Sequence, residues 1–228
     1  MAWSSTPESP ITYLSADTFG RVEPADVEKS IRPDTALITI MHANNEVGTI
    51  QPISEIATIA RKSQIAFHTD AAQSLGKIEV DVQKLNVDLL TIAGHKLYAP
   101  KGIGALYIRR GTKIENLIHG ASQEKGIRPG TENVPYIVGL GKACELAQQN
   151  LSANSIHLST LRDKLLHGLQ QKLGTTVKIN ANLNNCFPNT LSVAFDTDDE
   201  HVLDALINKS ETFKHYINFD RLVLAKAA

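Results

Sequence analysis

A chain of 228 residues with net charge −1 and 42% hydrophobic residues has the composition of a folded globular protein with a sizeable core. Near-neutral charge removes the electrostatic case for nucleic acid or an anionic membrane, and no apolar run is long enough to span a bilayer. Two cysteines, Cys144 and Cys186, fit no zinc spacing and no disulfide framework, and MAWSSTPESP at the start carries no secretory pattern, so a cytoplasmic protein without a metal is expected.

Taken in order, apolar β-branched runs alternate with helical patterns. Residues 11–14 predict a strand, and 24–31 a helix opened by Glu23 and Pro24 and closed before Pro33. ALITIM at 36–41 is continuous and apolar, which suits a strand buried on both faces. Asn44, Asn45 and Gly48 bring turn chemistry. Apolar residues at 53, 56, 57 and 60 have helical spacing, with Ser54 near the N-cap. Strands follow at 65–68, 89–93 and 104–109, the last led in by a tight turn at Gly102 and Gly104. Helices are predicted at 137–150 and 156–173, with Gly174 ending the second. Strands at 177–179 and 190–195, a helix at 201–208 and a single terminal helix within 210–228 complete the prediction. This rhythm predicts an α/β unit with a mostly parallel sheet, then a smaller α+β part. The divisions expected are 1–10, 11–135, 136–208 and 209–228.

The chemistry concentrates between Phe67 and Thr131. Asp70 ends the apolar run IAFHTD, Lys96 follows LLTIAGHK, and Gln73 lies less than one helical turn past Asp70. In an α/β sheet, ligands collect outside the carboxyl ends of strands, where Asp70 and Lys96 both fall. A lysine and a carboxylate there read either as a salt bridge or as a pyridoxal-phosphate pair. In the second case the amine condenses with the aldehyde, and the acid keeps the pyridine nitrogen protonated. Spacing does not separate the two. His68 is read as structural and facing away from Asp70, His42 as a satisfied, semi-buried histidine, Cys144 as buried on a helix, and Trp3 as peripheral.

FHTDAAQSLGK (67–77), GHKLYAPKGIGALYIRR (94–110) and IRPGTEN (127–133) resemble the cysteine desulfurases of class V of the pyridoxal-phosphate aminotransferase superfamily, with the similar selenocysteine lyases beside them. MHANNEVGTIQPI (41–53) and PNTLSVAF (188–195) look like the same family. The resemblance implies a partial fold-type-I large domain followed by a small α+β domain. It implies pyridoxal 5′-phosphate bound through Lys96, Asp70 against the pyridinium nitrogen, and Gln73 on the phenolic oxygen. Asn45 would contact cofactor or substrate carboxylate, and His95 the phosphate. Thr131 would reach the phosphate of a neighbouring subunit, hence a homodimer. L-cysteine or L-selenocysteine would be the substrate, with a sulfur-acceptor protein as partner in iron–sulfur cluster or thiolation pathways.

The sequence also departs from that pattern. Ala93 stands where many relatives carry a phosphate-binding serine. Ala99, Ala121 and Ser122 stand where glycine is usual, which predicts strain if the backbone there has positive φ. A phosphate loop and stacking histidine before residue 11, and a cysteine loop and substrate arginine after residue 208, find no match. The expectation is a chain truncated at both ends, either a desulfurase-like enzyme component or a non-enzymatic paralogue that pairs with a complete homologue.

Overall fold

The computed structural model describes residues 11–196 and a strand at Leu222–Lys226, arranged as two sheets joined by one long helix. The first sheet has the order β1 (Leu37–Thr39), β2 (Ala66–Asp70), β3 (Leu89–Ala93), β4 (Gly104–Ile108). The first three strands run parallel; β4 returns antiparallel against β3, Leu90 facing Tyr107. Helices α1 (Pro24–Ser30) and α2 (Ile53–Lys62) pack together on one face. Ile53, Ile56, Ala57 and Ala60 of α2 meet Phe67, Leu90 and Ile38, and these residues form the larger core. A side-chain period of two assigns Phe67 and Thr69 to that face and leaves Ala66, His68 and Asp70 on the other.

The short helix α3 (Val82–Leu85) is capped by Asp81, which accepts from the backbone N–H of Gln83 and Lys84. Beside it Asp88 accepts the Phe67 N–H at 3.0 Å and takes ion pairs from Arg61 and Arg109. Arg109 also donates to the carbonyls of Val82 and Val87. This polar staple holds the entry ends of β2 and β3 level, and so fixes where their carboxyl ends emerge.

Helix α4 (Val134–Leu173) is one element of 40 residues, not the two helices expected. The sequence from Asn150 to Ile156 contains no glycine or proline, and serine and asparagine cost only tenths of a kcal/mol each inside a helix, so nothing ends it there. Its first turns meet the first sheet: a Cβ on Gly139 would lie 3.0 Å from Pro100, and one on Gly76 would lie 3.2 Å from Ala147. Its last turns pack Leu165, Leu166, Leu169 and Leu173 on the second core, with Val177, Leu191, Val193 and Phe195. Gly174 closes it with φ +58°. That core belongs to the second sheet, in which β5 (Val177–Ile179) is antiparallel to β6 (Leu191–Phe195) and β7 (Leu222–Lys226) is parallel to β6. No described helix is long and apolar enough to cross a membrane.

Further expectations are corrected. Residues 11–14 form no strand, because no described strand lies beside them to complete a ladder; Tyr13 is exposed and Leu14 packs on the first core. β1 is buried on one face only, where Ile38 meets the helices, and exposes Leu37 on the other, which no described element covers. Pro52, not Ser54, stands at the N-cap of α2. The tail contains the strand β7, whose apolar run LVLA pairs with the buried β6. Positive φ falls on Tyr98, not on Ala99 or Ala121, so the expected strain at those alanines is absent. The predicted helix at 201–208, Trp3 and the rest of residues 1–10 lie outside the described residues.

Buried His42 carries a pH dependence. His42 is 4% exposed, its Nδ1 has no hydrogen-bond partner, and burial pushes its pKa down to about 4. Neutral His42 is therefore the form the fold accepts. The unfolded chain binds its proton near pH 6.5, so stability is present above that pH and lost as pH falls towards 4, to a total of roughly 3 kcal/mol. Urea denaturation at pH 7.5 and at pH 5 should differ by about 2 kcal/mol from this residue alone. The variant His42→Gln should lose that part of the difference; an unchanged pH dependence would refute the assignment.

Candidate functional site

Asp70 is the last residue of β2, and the chain turns at once: Ala72 N–H donates to Asp70 Oδ1 at 2.8 Å, and the Ser74 and Leu75 N–H groups to the Ala71 carbonyl. One carboxylate oxygen is thus committed to its own turn. The Asp70 carbonyl accepts the His42 N–H at 2.8 Å, and the Ala71 N–H donates to the Thr91 carbonyl. These bonds continue the ladder past the formal strand ends and set the 41–45 segment beside Asp70.

The two adjacent asparagines divide the work. Asn44 accepts the N–H groups of Glu46 and Val47 on its side-chain oxygen and so builds the turn. Asn45 faces a cleft of about 120 Å³ shared with Met41, Ala43, Asp70, Ala72 and Gln73. Asn45, Asp70 and Gln73 are therefore brought together as expected.

Lys96 and His95 line a different space. They sit in a short 3₁₀ turn, Gly94–Leu97, directly after β3. The turn closes through the Ala99 N–H to the Gly94 carbonyl and through left-handed Tyr98, at φ +62°. Gly94 is obligatory, because a Cβ there would stand 2.7 Å from the Ile103 carbonyl oxygen. Lys96 and His95 open onto a groove of about 1160 Å³ between this turn and α4. Most of the groove is lined by apolar side chains such as Leu97, Leu146, Leu161 and Leu165; Lys77, Lys142, Lys164 and Lys172 stand along it, and among the described residues no carboxylate does, so its charged groups are cationic. The groove is somewhat larger than the roughly 300–1,000 Å³ usual for a ligand site, and the cleft is smaller. Lys77 Nζ, donating to Gln73 Oε1 at 3.3 Å, connects groove and cleft.

Thr131 lies on an exposed loop before α4 and lines neither space. His68 shares the face of Asp70, contrary to expectation, because residues two apart in a strand point the same way. It bridges three strands, with Nδ1 2.7 Å from Thr39 Oγ1 and Nε2 2.9 Å from Thr91 Oγ1. Burial lowers its pKa, and the Asp70 charge opposes that shift. His42 is buried rather than semi-buried, and its ring is unsatisfied at Nδ1. Cys144 is half-buried rather than buried.

The residues that sequence reasoning missed are on the segment before β6. The Phe187 N–H donates to the Gly48 carbonyl at 2.9 Å, and the Ile50 N–H to the Asn185 carbonyl. Cys186 Sγ lies 3.4 Å from the Val47 carbonyl oxygen. Buried Arg162 of α4 donates to the Phe187 carbonyl at 3.0 Å. Lys77 Nζ stands over the Phe187 ring, 5.7 Å from its centroid. The only sequence signal was a basic residue one helical turn after Gln73 in FHTDAAQSLGK, and nothing local marks its partner.

Residues 3–212 match the aminotransferase class V family. The cysteine desulfurase IscS of Methanosarcina thermophila is 48% identical over 207 residues, covering 91% of this chain and 51% of that protein. The cysteine desulfurase IscS of Dictyoglomus turgidum is 51% identical over 185 residues, covering 81% and 47%. Among solved structures, a NifS-like protein matches with a TM-score of 0.78 at 42% identity, over 87% of this chain and 54% of its own. DndA from Streptomyces lividans matches with a TM-score of 0.76 at 35% identity, over 87% and 57%. The chain spans about half the length of the curated relatives it matches.

The junction under the Asn45 turn is testable. Gly48 has φ +81°, and a Cβ there would lie 2.6 Å from Cys186 Sγ and 2.9 Å from Thr190 Cβ. Gly48→Ala should cost about 2–4 kcal/mol in urea denaturation, combining left-handed strain with overpacking. The double variant Gly48→Ala/Cys186→Ala should fall short of the summed single costs by at least about 0.5 kcal/mol, and strict additivity would refute the contact.

Proposed function

Because the chain belongs to the class V aminotransferase family, we propose that it carries the lysine side of a pyridoxal-phosphate site of the cysteine-desulfurase type, with Lys96 as the anchoring amine. One observation carries this reading: Asp70, Gln73 and Asn45 converge on a cleft at the carboxyl end of a parallel sheet, and Lys77 connects that cleft to the groove containing Lys96. Type for type, the groups suit the ligand. A carboxylate fits a pyridinium nitrogen, an amide fits a phenolic oxygen, an amine fits an aldehyde, and a lysine- and histidine-lined groove fits a phosphate. When bound, pyridoxal phosphate supplies the aldehyde and an electron-withdrawing ring.

The chain's residues then have distinct tasks. Asp70, with one oxygen held by Ala72, offers the other to a ring nitrogen. Gln73 orients the ring through its amide, and Asn45 binds either the ring or a substrate carboxylate. His95 holds phosphate. Lys96 Nζ anchors the ligand, and once released it carries a proton between substrate carbon and solvent. Ala93 offers no hydroxyl to the phosphate. Thr131, exposed and apart from both spaces, is assigned to a second subunit's site, so the reading includes a homodimer, a cytoplasmic location and a sulfur-acceptor protein.

The reaction proposed is transfer of sulfur from L-cysteine to a cysteine thiolate, leaving L-alanine. The relatives compared above are named cysteine desulfurases, which favours cysteine over selenocysteine. Neither thiol of this chain suits the acceptor role. Burial raises the pKa of both Cys144 and Cys186, and a thiol rather than a thiolate is a poor nucleophile. The acceptor thiol is therefore assigned to neither Cys144 nor Cys186.

Borohydride reduction with added pyridoxal phosphate, followed by peptide mass mapping, should place one pyridoxyl group per chain on Lys96, and Lys96→Ala should abolish it. Label scattered over surface lysines would overturn the reading. The purified chain should form no L-alanine from L-cysteine above background. Turnover abolished by Cys186→Ala or Cys144→Ala would show that a thiol of this chain does serve.

A further inference from the structure

We propose that Lys77 is a positioning residue, held over the Phe187 ring so that it locks the side-chain amide of Gln73 with its N–H₂ facing the cleft. The pyridoxal-phosphate reading supplies what that amide acts on; the lock itself rests on geometry. A lysine ammonium has donors and no acceptor. The 3.3 Å contact between Lys77 Nζ and Gln73 therefore fixes the oxygen end of the amide towards Lys77 and leaves Nε2 for the cleft. In that orientation Gln73 can only donate, which is what a phenolate oxygen needs.

An ammonium on a four-carbon stem does not hold such a position by itself, because its rotamer entropy works against it. Among the described residues, Phe187 contributes a constraint. Its ring lies 5.7 Å from Lys77 Nζ, within the range of a cation–π contact. The ring itself is fixed at both backbone ends, by the Gly48 carbonyl at 2.9 Å and the Arg162 guanidinium at 3.0 Å. Phe187 is 1% exposed and Arg162 7%, so neither anchor is open to water. One segment thus holds the turn bearing Asn45 and, through Lys77, the amide of Gln73. Among the described residues, other titratable groups facing the region are Asp70 in the cleft with His68 beside it, His95 and Lys96 in the groove, and Lys142, His157, Lys164 and Lys172 from α4. Those from α4 line the groove and not the cleft, so Gln73 is separated from them by Lys77.

The full chain without cofactor gives the first readout. The Gln73 Nε2 protons, assigned by their loss in Gln73→Glu, should give two well-dispersed, slowly exchanging resonances. In Lys77→Met, whose side chain still packs on Phe187, they should collapse towards free-amide positions, and Lys77→Arg should restore them. Unchanged resonances in Lys77→Met would overturn the proposal. With pyridoxal phosphate added, the pH midpoint of the bound chromophore should rise by about half to one unit in Lys77→Met, because a hydrogen bond to the phenolate is weakened, and return in Lys77→Arg. A midpoint that stays put while the amide is freed would also overturn it. A chain that takes up no cofactor while its Gln73 amide still depends on Lys77 would sink the pyridoxal-phosphate reading and leave the lock standing.

Discussion

The arrangement depends on a backbone contact between distant parts of the chain: the segment before β6 lies against the turn that follows β1. The Phe187 N–H to Gly48 carbonyl bond is possible only because Gly48 has no Cβ and adopts a left-handed backbone. From that contact two consequences run outward. The turn is held at the shape in which Asn44 is consumed by its own backbone and Asn45 is not. The Phe187 ring is also placed beneath Lys77. The segment before β6 thus contributes to the polar edge of the first sheet without lending a side chain to the cleft.

The histidines behind the cleft are held in their neutral form by burial. His68 is flanked by two threonine hydroxyls across three strands, and burial favours its uncharged form. His42 is uncharged for the same reason. Asp70 is therefore backed by neutral rings, not by a fixed cation, and its charge is directed at whatever occupies the cleft. The cations are gathered in the groove instead. Acid at the cleft and amines along the groove give the two neighbouring spaces opposite charge.

Much of this was legible in the sequence for identifiable reasons. Asp70 and Lys96 stand where apolar runs stop, and in a parallel sheet that is where ligands bind, so both positions followed from pattern. The turn asparagines and Gly102 announced themselves by residue type. What failed to show has physical causes too. A continuous apolar run such as ALITIM says that a strand is apolar, not that both faces are covered, and β1 is bare on one side. Breaker residues mark helix ends, but their absence between Asn150 and Ile156 is a weak signal, so α4 was read as two helices. His68 was assigned to the wrong face although the strand period alone places it with Asp70. The Lys77–Phe187 contact joins residues far apart in sequence, and nothing local encodes it. The alanines at 99 and 121 looked strained only because glycine was taken to mean positive φ; the left-handed residue is Tyr98.

Helix α4 has a mechanical meaning. At 1.5 Å per residue its 40 residues make a rod of about 60 Å, gripped by Pro100 and Gly76 near one end and by the leucines of the second core near the other. After Pro135 it contains no proline, the usual cause of a sharp kink. A rod held in its first half by Pro100 and Gly76, and from Arg162 onward by Phe187 and the second-core leucines, behaves as a braced beam rather than a hinge. The turn that carries Lys96 and the second sheet are thus mounted on a single stiff element, and their spacing is set by its length.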